Sequence, residues 1–187
     1  REASVVFNRQ LTKEERSNQG IYFTPKKARD LLFTKLRDLG VHHPSRILEP
    51  SFGSGEFLYD ARTIYPDAEL YGVEKNETLF QSVVDAVPNT HLTCADFLEW
   101  GVQSPQQKAD LIIGNPPYFI MKIETAEKKK YARAFTGRPN IYVIFLYKCL
   151  ETHLDLGGFL AFIIPTSIYN SSYYQPMRDY IYKNTHI

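Results

Sequence analysis

The run Gly114-Asn115-Pro116-Pro117-Tyr118 follows an apolar stretch, Ala109-Asp110-Leu111-Ile112-Ile113, and joins an amide, two prolines and an aromatic ring where a buried strand should open into a cleft. Open α/β folds bind their ligands at the carboxyl ends of their strands, so Asn115 is expected there. The prolines remove two backbone donors and fix φ, which holds the Asn115 side chain and the neighbouring carbonyls as a rigid polar rim. Tyr118 adds a flat face on which a planar ring can stack. A strand-ending turn would use the same residue types. Residues further upstream decide between the two readings.

The segment Glu49-Pro50-Ser51-Phe52-Gly53-Ser54-Gly55 joins a short apolar strand to a helix, and its glycines let backbone approach a ligand closely. The third glycine of a dinucleotide fingerprint is missing, with Leu58 and Tyr59 in its neighbourhood, and an acid precedes the loop. A carboxylate at Glu49 repels a pyrophosphate and attracts an ammonium group. Nineteen residues past Gly55, Glu74 ends the next strand, where a carboxylate can accept both ribose hydroxyls. Asp96 follows the third strand, placed to accept from an exocyclic adenine amine, with Phe97 beside the ring. Each acid also has a structural use: Glu49 in a surface turn, Glu74 as a helix cap, Asp96 in an Asx turn. Taken in order, three acids at three successive strand ends describe one nucleoside with an amino-acid tail. That ligand is S-adenosylmethionine.

The elements that must position these residues alternate strand and helix. Thr24-Pro25 reads as a helix start, with an N-cap hydroxyl and a proline at the first turn, and Ala28, Leu31, Leu32, Leu36 and Leu39 form one apolar face up to Gly40. Strands are expected at 46–49, 69–73, 91–94, 111–114 and 159–164, and helices at 56–64, 77–87, 141–154 and 173–183. Short, continuously apolar strands suit a parallel sheet covered on both faces, with right-handed crossovers. Met121 to Arg138 breaks the rhythm: six basic residues, Lys122 among them, face two acids, which predicts a basic loop able to contact phosphates.

Composition limits the classes available. A chain of 187 residues with 43% apolar content sustains one α/β domain with a core. A net charge of +1 gives no global field for nucleic acid, so such binding must come from a local patch. Cys94 and Cys149 read as buried thiols in a reducing compartment, and no metal-ligand cluster is suggested. With no run of about 18 apolar residues and no leader layout, the expectation is a soluble cytoplasmic protein without a membrane partner. The first residue, Arg1, suggests a piece of a longer chain.

Gly20-Ile21-Tyr22-Phe23-Thr24-Pro25, the Glu49 to Phe57 loop, Glu74, Asp96-Phe97 and Asn115-Pro116-Pro117-Tyr118 together resemble, in order, the motifs of adenine-N6 DNA methyltransferases of the gamma class. Gly137-Arg138-Pro139-Asn140-Ile141-Tyr142 and Gly157-Gly158-Phe159 to Ile164-Pro165 are similar to the later core of that family, closest to the methylases of type II and type IIG restriction systems. The resemblance implies a Rossmann-like S-adenosylmethionine-dependent methyltransferase fold. Residues 1–40 would close over the cofactor and 41–187 would form the core. Thr24, Glu49, Pro50, Ser51, Phe52, Gly53, Gly55, Glu74, Asp96, Phe97, Asn115 and Pro116 would lie on the cofactor side, and Pro117, Tyr118, Lys122 and Asn140 on the substrate side. Asn115 and the Pro116 carbonyl would accept from the N6 amine of an adenine flipped out of double-stranded DNA, and Tyr118 would stack on it. Relatives sharing the tetrapeptide act on a glutamine amide in protein or a base in ribosomal RNA; the Thr24-Pro25 segment and the basic loop lean towards DNA. Complete enzymes of the family add further strands and a target-recognition domain. Their absence here predicts a catalytic-core fragment with an unpaired sheet edge, or one that joins a missing segment or subunit.

Overall fold

The computed structural model describes residues 24–101, 108–121 and 129–187. The apolar runs form five strands, β1 (Arg46–Glu49), β2 (Glu69–Glu74), β3 (Thr90–Cys94), β4 (Ala109–Gly114) and β5 (Leu154–Phe162). All neighbours pair in parallel, in the order β3-β2-β1-β4-β5. Side chains alternate across the pleat, so the three central strands feed two cores. Ile47, Leu70, Leu111 and Ile113 pack on one face with Phe33 and Leu36 of α1 (Lys26–Asp38), Phe57 and Leu58 of α2 (Glu56–Ile64) and Val83 of α3 (Glu77–Val83). Leu48, Val73 and Ile112 face the other way, against α4 (Ile141–Lys148), Ile168 of α5 (Ser167–Asn170) and Met177 of α6 (Gln175–Asn184). Every residue of α4 is buried. Its apolar character all round accounts for that central place. The doubly wound α/β fold and five parallel strands expected from the sequence are therefore the observed architecture.

Several local expectations are corrected. The cap of α1 is Pro25, with no side-chain cap bond, so the Thr24 hydroxyl is left for another partner. Leu31 and Leu39 are exposed, and the buried stripe of α1 is Arg29, Leu32, Phe33 and Leu36. The helix expected over 77–87 ends at Val83, and the one over 141–154 passes at Cys149 into a π-helical turn, Cys149–His153. The strand expected over 159–164 is β5, which starts earlier, at Leu154, and ends at Phe162: Ala109 pairs with Leu154 while Leu111 pairs with Phe159, and the residues between loop out as a bulge. Cys149 is buried, but Cys94 is exposed on the edge strand β3. Residues 1–23 and 122–128, including the Gly20 to Phe23 stretch and Lys122, lie outside the described residues.

The last residue of α4, Lys148, is buried, and its ammonium donates to the carbonyls of Phe97 at 2.5 Å, Leu98 at 2.9 Å and Trp100. Three carbonyls match the three donors of an ammonium group. The loop after β3 is thereby tied to the central helix. Lys148→Met leaves these carbonyls without their donor and should cost about 2–4 kcal/mol of unfolding free energy. Urea denaturation followed by circular dichroism measures the loss; a change below about 0.5 kcal/mol would remove the ammonium from this role.

Candidate active site

The order β3-β2-β1-β4-β5 reverses direction between β1 and β4, and open parallel sheets have their crevice at such a point. A cavity of about 440 Å³ opens there. Glu49, the last residue of β1, and Asn115, immediately after β4, line it from adjacent strands, and Glu74 and Asp96 line it from the ends of β2 and β3. Thr24, Pro50, Ser51, Phe52, Gly53, Phe97 and Pro117 complete the sequence-expected set that the cavity brings together. Gly55, Pro116, Tyr118 and Asn140 do not line it.

The glycine loop owes its path to two left-handed residues. Gly53 has φ +55°, and its amide donates to Glu74 Oε2 at 2.9 Å. Gly55, at φ +77°, opens α2, and a Cβ there would lie 2.7 Å from Val83 Cγ1, so only glycine lets α2 start this close to α3. Glu74 Oε1 accepts from the Asn76 amide at 2.7 Å, and Asn76 Oδ1 caps α3 through the Leu79 amide. Asp96 Oδ1 closes an Asx turn with the Leu98 amide at 2.9 Å, and its Oδ2 accepts from Lys75 at 2.7 Å. The structural uses of Glu74 and Asp96 leave room for a ligand, since a carboxylate oxygen has a second lone pair. Glu49 is different: it is 2% exposed, not a surface turn, and its Oε2 has no hydrogen-bond partner among the described residues.

Across the cavity, Asn115 Nδ2 donates to Thr24 Oγ1 at 3.0 Å. The Tyr118 hydroxyl donates toward Asn115 Oδ1 and toward the Ile163 carbonyl, the latter at 2.5 Å. Tyr118 also meets Tyr142 edge to face at 6.0 Å. Asn140 caps α4, accepting from the Tyr142 amide at 3.4 Å, and forms an antiparallel bridge to Ile120 just past the tetrapeptide. Sequence reasoning missed Lys75, the partner of Asp96. It also missed the apolar wall of Leu79, Phe119, Ile141 and Phe145. A third omission is Arg29, whose Nε meets Asp60 Oδ2 at 2.6 Å and whose Nη1 donates to the Thr24 carbonyl at 2.5 Å. The signal for Arg29 was a lone charge on the apolar stripe of α1.

Burial pushes the Glu49 carboxyl well above its ordinary range, and the nearby charges of Glu56 and Glu74 add to this, while Arg29 opposes it. Burial also raises Glu74, against the lowering effect of its backbone amide donors. Burial raises Asp96 as well, but the Lys75 hydrogen bond, the Leu98 amide and the charges of Lys75 and Lys148 outweigh it, leaving this acid below its usual range. The empty lone pairs of Glu49 Oε2 and the unpartnered Ser51 Oγ await polar partners. An ammonium group at the β1 end, ribose hydroxyls at Glu74 and an adenine edge near Asp96 fit these groups. The linkage sign follows: folded Glu49 keeps a proton that the unfolded chain releases near 4.5, so stability falls as pH rises from there through the raised folded value. Denaturant midpoints across the range from about pH 5 to about pH 8 should fall more steeply in the wild type than in Glu49→Gln. Equal slopes would mean that Glu49 is ionised in the free protein.

Against known proteins, a family model described as Eco57I restriction-modification methylase matches residues 65–187. The type II methyltransferase M.CvrRI of Paramecium bursaria Chlorella virus XZ-6E is 39% identical over 178 residues, covering 95% of this chain and 44% of that protein. The modification methylase CviBIII of Paramecium bursaria Chlorella virus NC1A is 41% identical over 182 residues, covering 96% of this chain and 46% of that protein. The chain thus spans less than half the length of these relatives. A solved structure assigned as the modification subunit of a type I restriction enzyme from Vibrio vulnificus YJ016 superposes with a TM-score of 0.67 at 16% identity, over 96% of this chain and 42% of that one. That likeness is one of fold, the Rossmann-like fold of S-adenosylmethionine-dependent methyltransferases, and S-adenosylmethionine is the cofactor that the three acids were expected to hold. With the family model covering its second half and more, and two such relatives matching nearly its whole length, the chain belongs to the Eco57I restriction-modification methylase family.

Proposed function

We propose that this chain is the catalytic core of a DNA methyltransferase that transfers a methyl group to N6 of an adenine flipped out of double-stranded DNA, in the cytoplasm, as part of a restriction-modification or phage-defence system. The observation that carries this reading is that Asn115 lines the same cavity as Glu49, Glu74 and Asp96. The Asn115 wall accepts from an amine, and the three acids opposite suit a nucleoside with an amino-acid tail. The family's description as a restriction-modification methylase, and relatives named as a type II methyltransferase and a modification methylase, support DNA as the acceptor.

S-adenosylmethionine supplies an electrophilic methyl group on a sulfonium. The residues do the rest. Glu49 would hold the cofactor's ammonium group, giving up its own proton to water, while Glu74 and Asp96 would orient the nucleoside. Asn115 Oδ1 and the Pro116 carbonyl accept from the target amine, drawing its lone pair out of conjugation and favouring positive charge as it grows on nitrogen; as the nitrogen–carbon bond forms the carbon–sulfur bond would break to leave a neutral thioether, and the extra proton on nitrogen would pass to water. In-line positioning supplies the larger share of the acceleration, since two bound reactants held in attack geometry can gain up to about 7–11 kcal/mol over free encounter. The target amine takes over the acceptor now facing the Tyr118 hydroxyl, which frees the Tyr118 ring to stack. Lys129, Lys130, Arg133 and Arg138 follow the tetrapeptide and suit phosphate contact, as does Lys122 in the same basic stretch. A target-recognition segment beyond this core would choose the DNA sequence.

The test is methyl transfer from tritium-labelled cofactor by the native protein, offered DNA, RNA and a protein acceptor in parallel. Label should enter DNA at adenine N6, and label in protein or RNA alone would overturn the acceptor assignment. Asn115→Ala should reduce transfer by at least about a hundredfold while calorimetry finds cofactor affinity within about threefold of wild type. Proportional loss of both would assign Asn115 to cofactor binding instead.

A further inference from the structure

An asparagine amide can serve as the amine acceptor only in one of its two flip states. Turned by half a rotation, it presents an NH₂ group to the target nitrogen, donor against donor. The structure holds Asn115 from both ends: Nδ2 gives a proton to Thr24 Oγ1 at 3.0 Å, and Oδ1 receives the Tyr118 hydroxyl. Once a target amine displaces Tyr118 from Oδ1, the Thr24 bond is what, among the described residues, still distinguishes the two flip states. Thr24 is 91 residues away in sequence and 7% exposed, and its hydroxyl is not used to cap α1.

Thr24 is itself held. Its carbonyl accepts Arg29 Nη1 at 2.5 Å, and Arg29 Nε is paired with Asp60 Oδ2 on α2 at 2.6 Å, with side-chain exposures of 11% and 24%. The following proline confines Thr24 to extended backbone. Arg29 sits one turn into α1, on the stripe that packs against α2 and the sheet, so the guanidinium links the start of α1 to α2 at the place where Thr24 must meet Asn115. Neither Arg29 nor Asp60 lines the cavity.

We propose that Thr24 is the positioning residue that sets the flip state of the Asn115 amide, and that the Arg29–Asp60 pair holds Thr24 in place for it. This assigns the first helix a part in the acceptor half of the site as well as the cofactor half, and it rests on the reading of Asn115 as the amine acceptor. Thr24→Val removes the hydroxyl with little change of shape; Thr24→Ser keeps it.

The Asn115 side-chain amide reports on this without any turnover. In the native protein free of ligand, with asparagine side chains labelled with nitrogen-15 and the Asn115 signal identified by its loss in Asn115→Asp, the amide protons should exchange slowly with solvent. Thr24→Ser should keep that protection, while Thr24→Val should accelerate exchange by at least about tenfold, the loss of one net hydrogen bond. Arg29→Met should accelerate it as well. Methyl transfer should follow the same order, with kcat about tenfold lower in Thr24→Val than in Thr24→Ser. An Asn115 amide unchanged in Thr24→Val would overturn the proposal. If the wild type methylates none of the offered acceptors, the proposed function fails, while the exchange measurement still decides whether Thr24 orients Asn115.

Discussion

The parallel pairing of β1 with β4, Ile47 beside Leu111 and Leu48 beside Ile112, is the constraint on which the rest depends. It places next to each other two strands that lie far apart in the chain, and it makes their carboxyl ends the switch point of the sheet. The buried acid Glu49 and the amide Asn115 therefore open onto one cavity. The pairing is stabilised from both faces by apolar residues that are wholly buried, Ile47, Leu111, Ile112 and Ile113 among them. Their burial brings roughly 1.5–3 kcal/mol each, which offsets the cost of carrying an unpaired carboxyl into the interior.

Around that junction the polar groups divide into those with partners and those waiting for one. Glu74 and Asp96 already accept backbone amides, so their orientation is set before any ligand arrives. Glu49 Oε2 and Ser51 Oγ have none. Burial holds the Glu49 carboxyl well above its ordinary range, because the charged form is poorly solvated there. On the opposite side, the Thr24 and Tyr118 hydroxyls meet the Asn115 amide, and Tyr118 also reaches the Ile163 carbonyl, which links the start of α1, the tetrapeptide and the segment after β5. The site is preorganised on one side and poised for exchange on the other.

Much of this was legible because the informative residues lie at strand ends, where local pattern and ligand chemistry coincide. Apolar runs marked the strands, glycines marked the loop, and Glu49, Glu74 and Asp96 fell at successive carboxyl ends. The misjudgements share a cause as well. Thr24 read as a helix cap because hydroxyl followed by proline is a local signature, but a partner 91 residues away takes the hydroxyl instead. Leu31 and Leu39 matched helical periodicity, yet α1 turns Arg29 inward in their place because Asp60 offers it a charge. The bulge in β5 and the π-helical turn before it absorb a register mismatch between β4 and β5 that no periodicity in either segment announces.

The sequence by itself determined the alternation of elements, hence the parallel sheet, and the order of acids and amide along it, because strand and loop signals are local and the chemistry of each side chain is its own. Only the tertiary structure decided which of those groups share a cavity, which acid is left without a partner, and that Asn140 and Gly55 serve the framework rather than the cavity wall. Burial and hydrogen-bond partnership are properties of what packs around a residue, and in this fold the decisive neighbours come from distant parts of the chain. For the amide of Asn115 that distinction is sharpest: its place follows from the strand before it, and its orientation from a threonine on another helix's threshold.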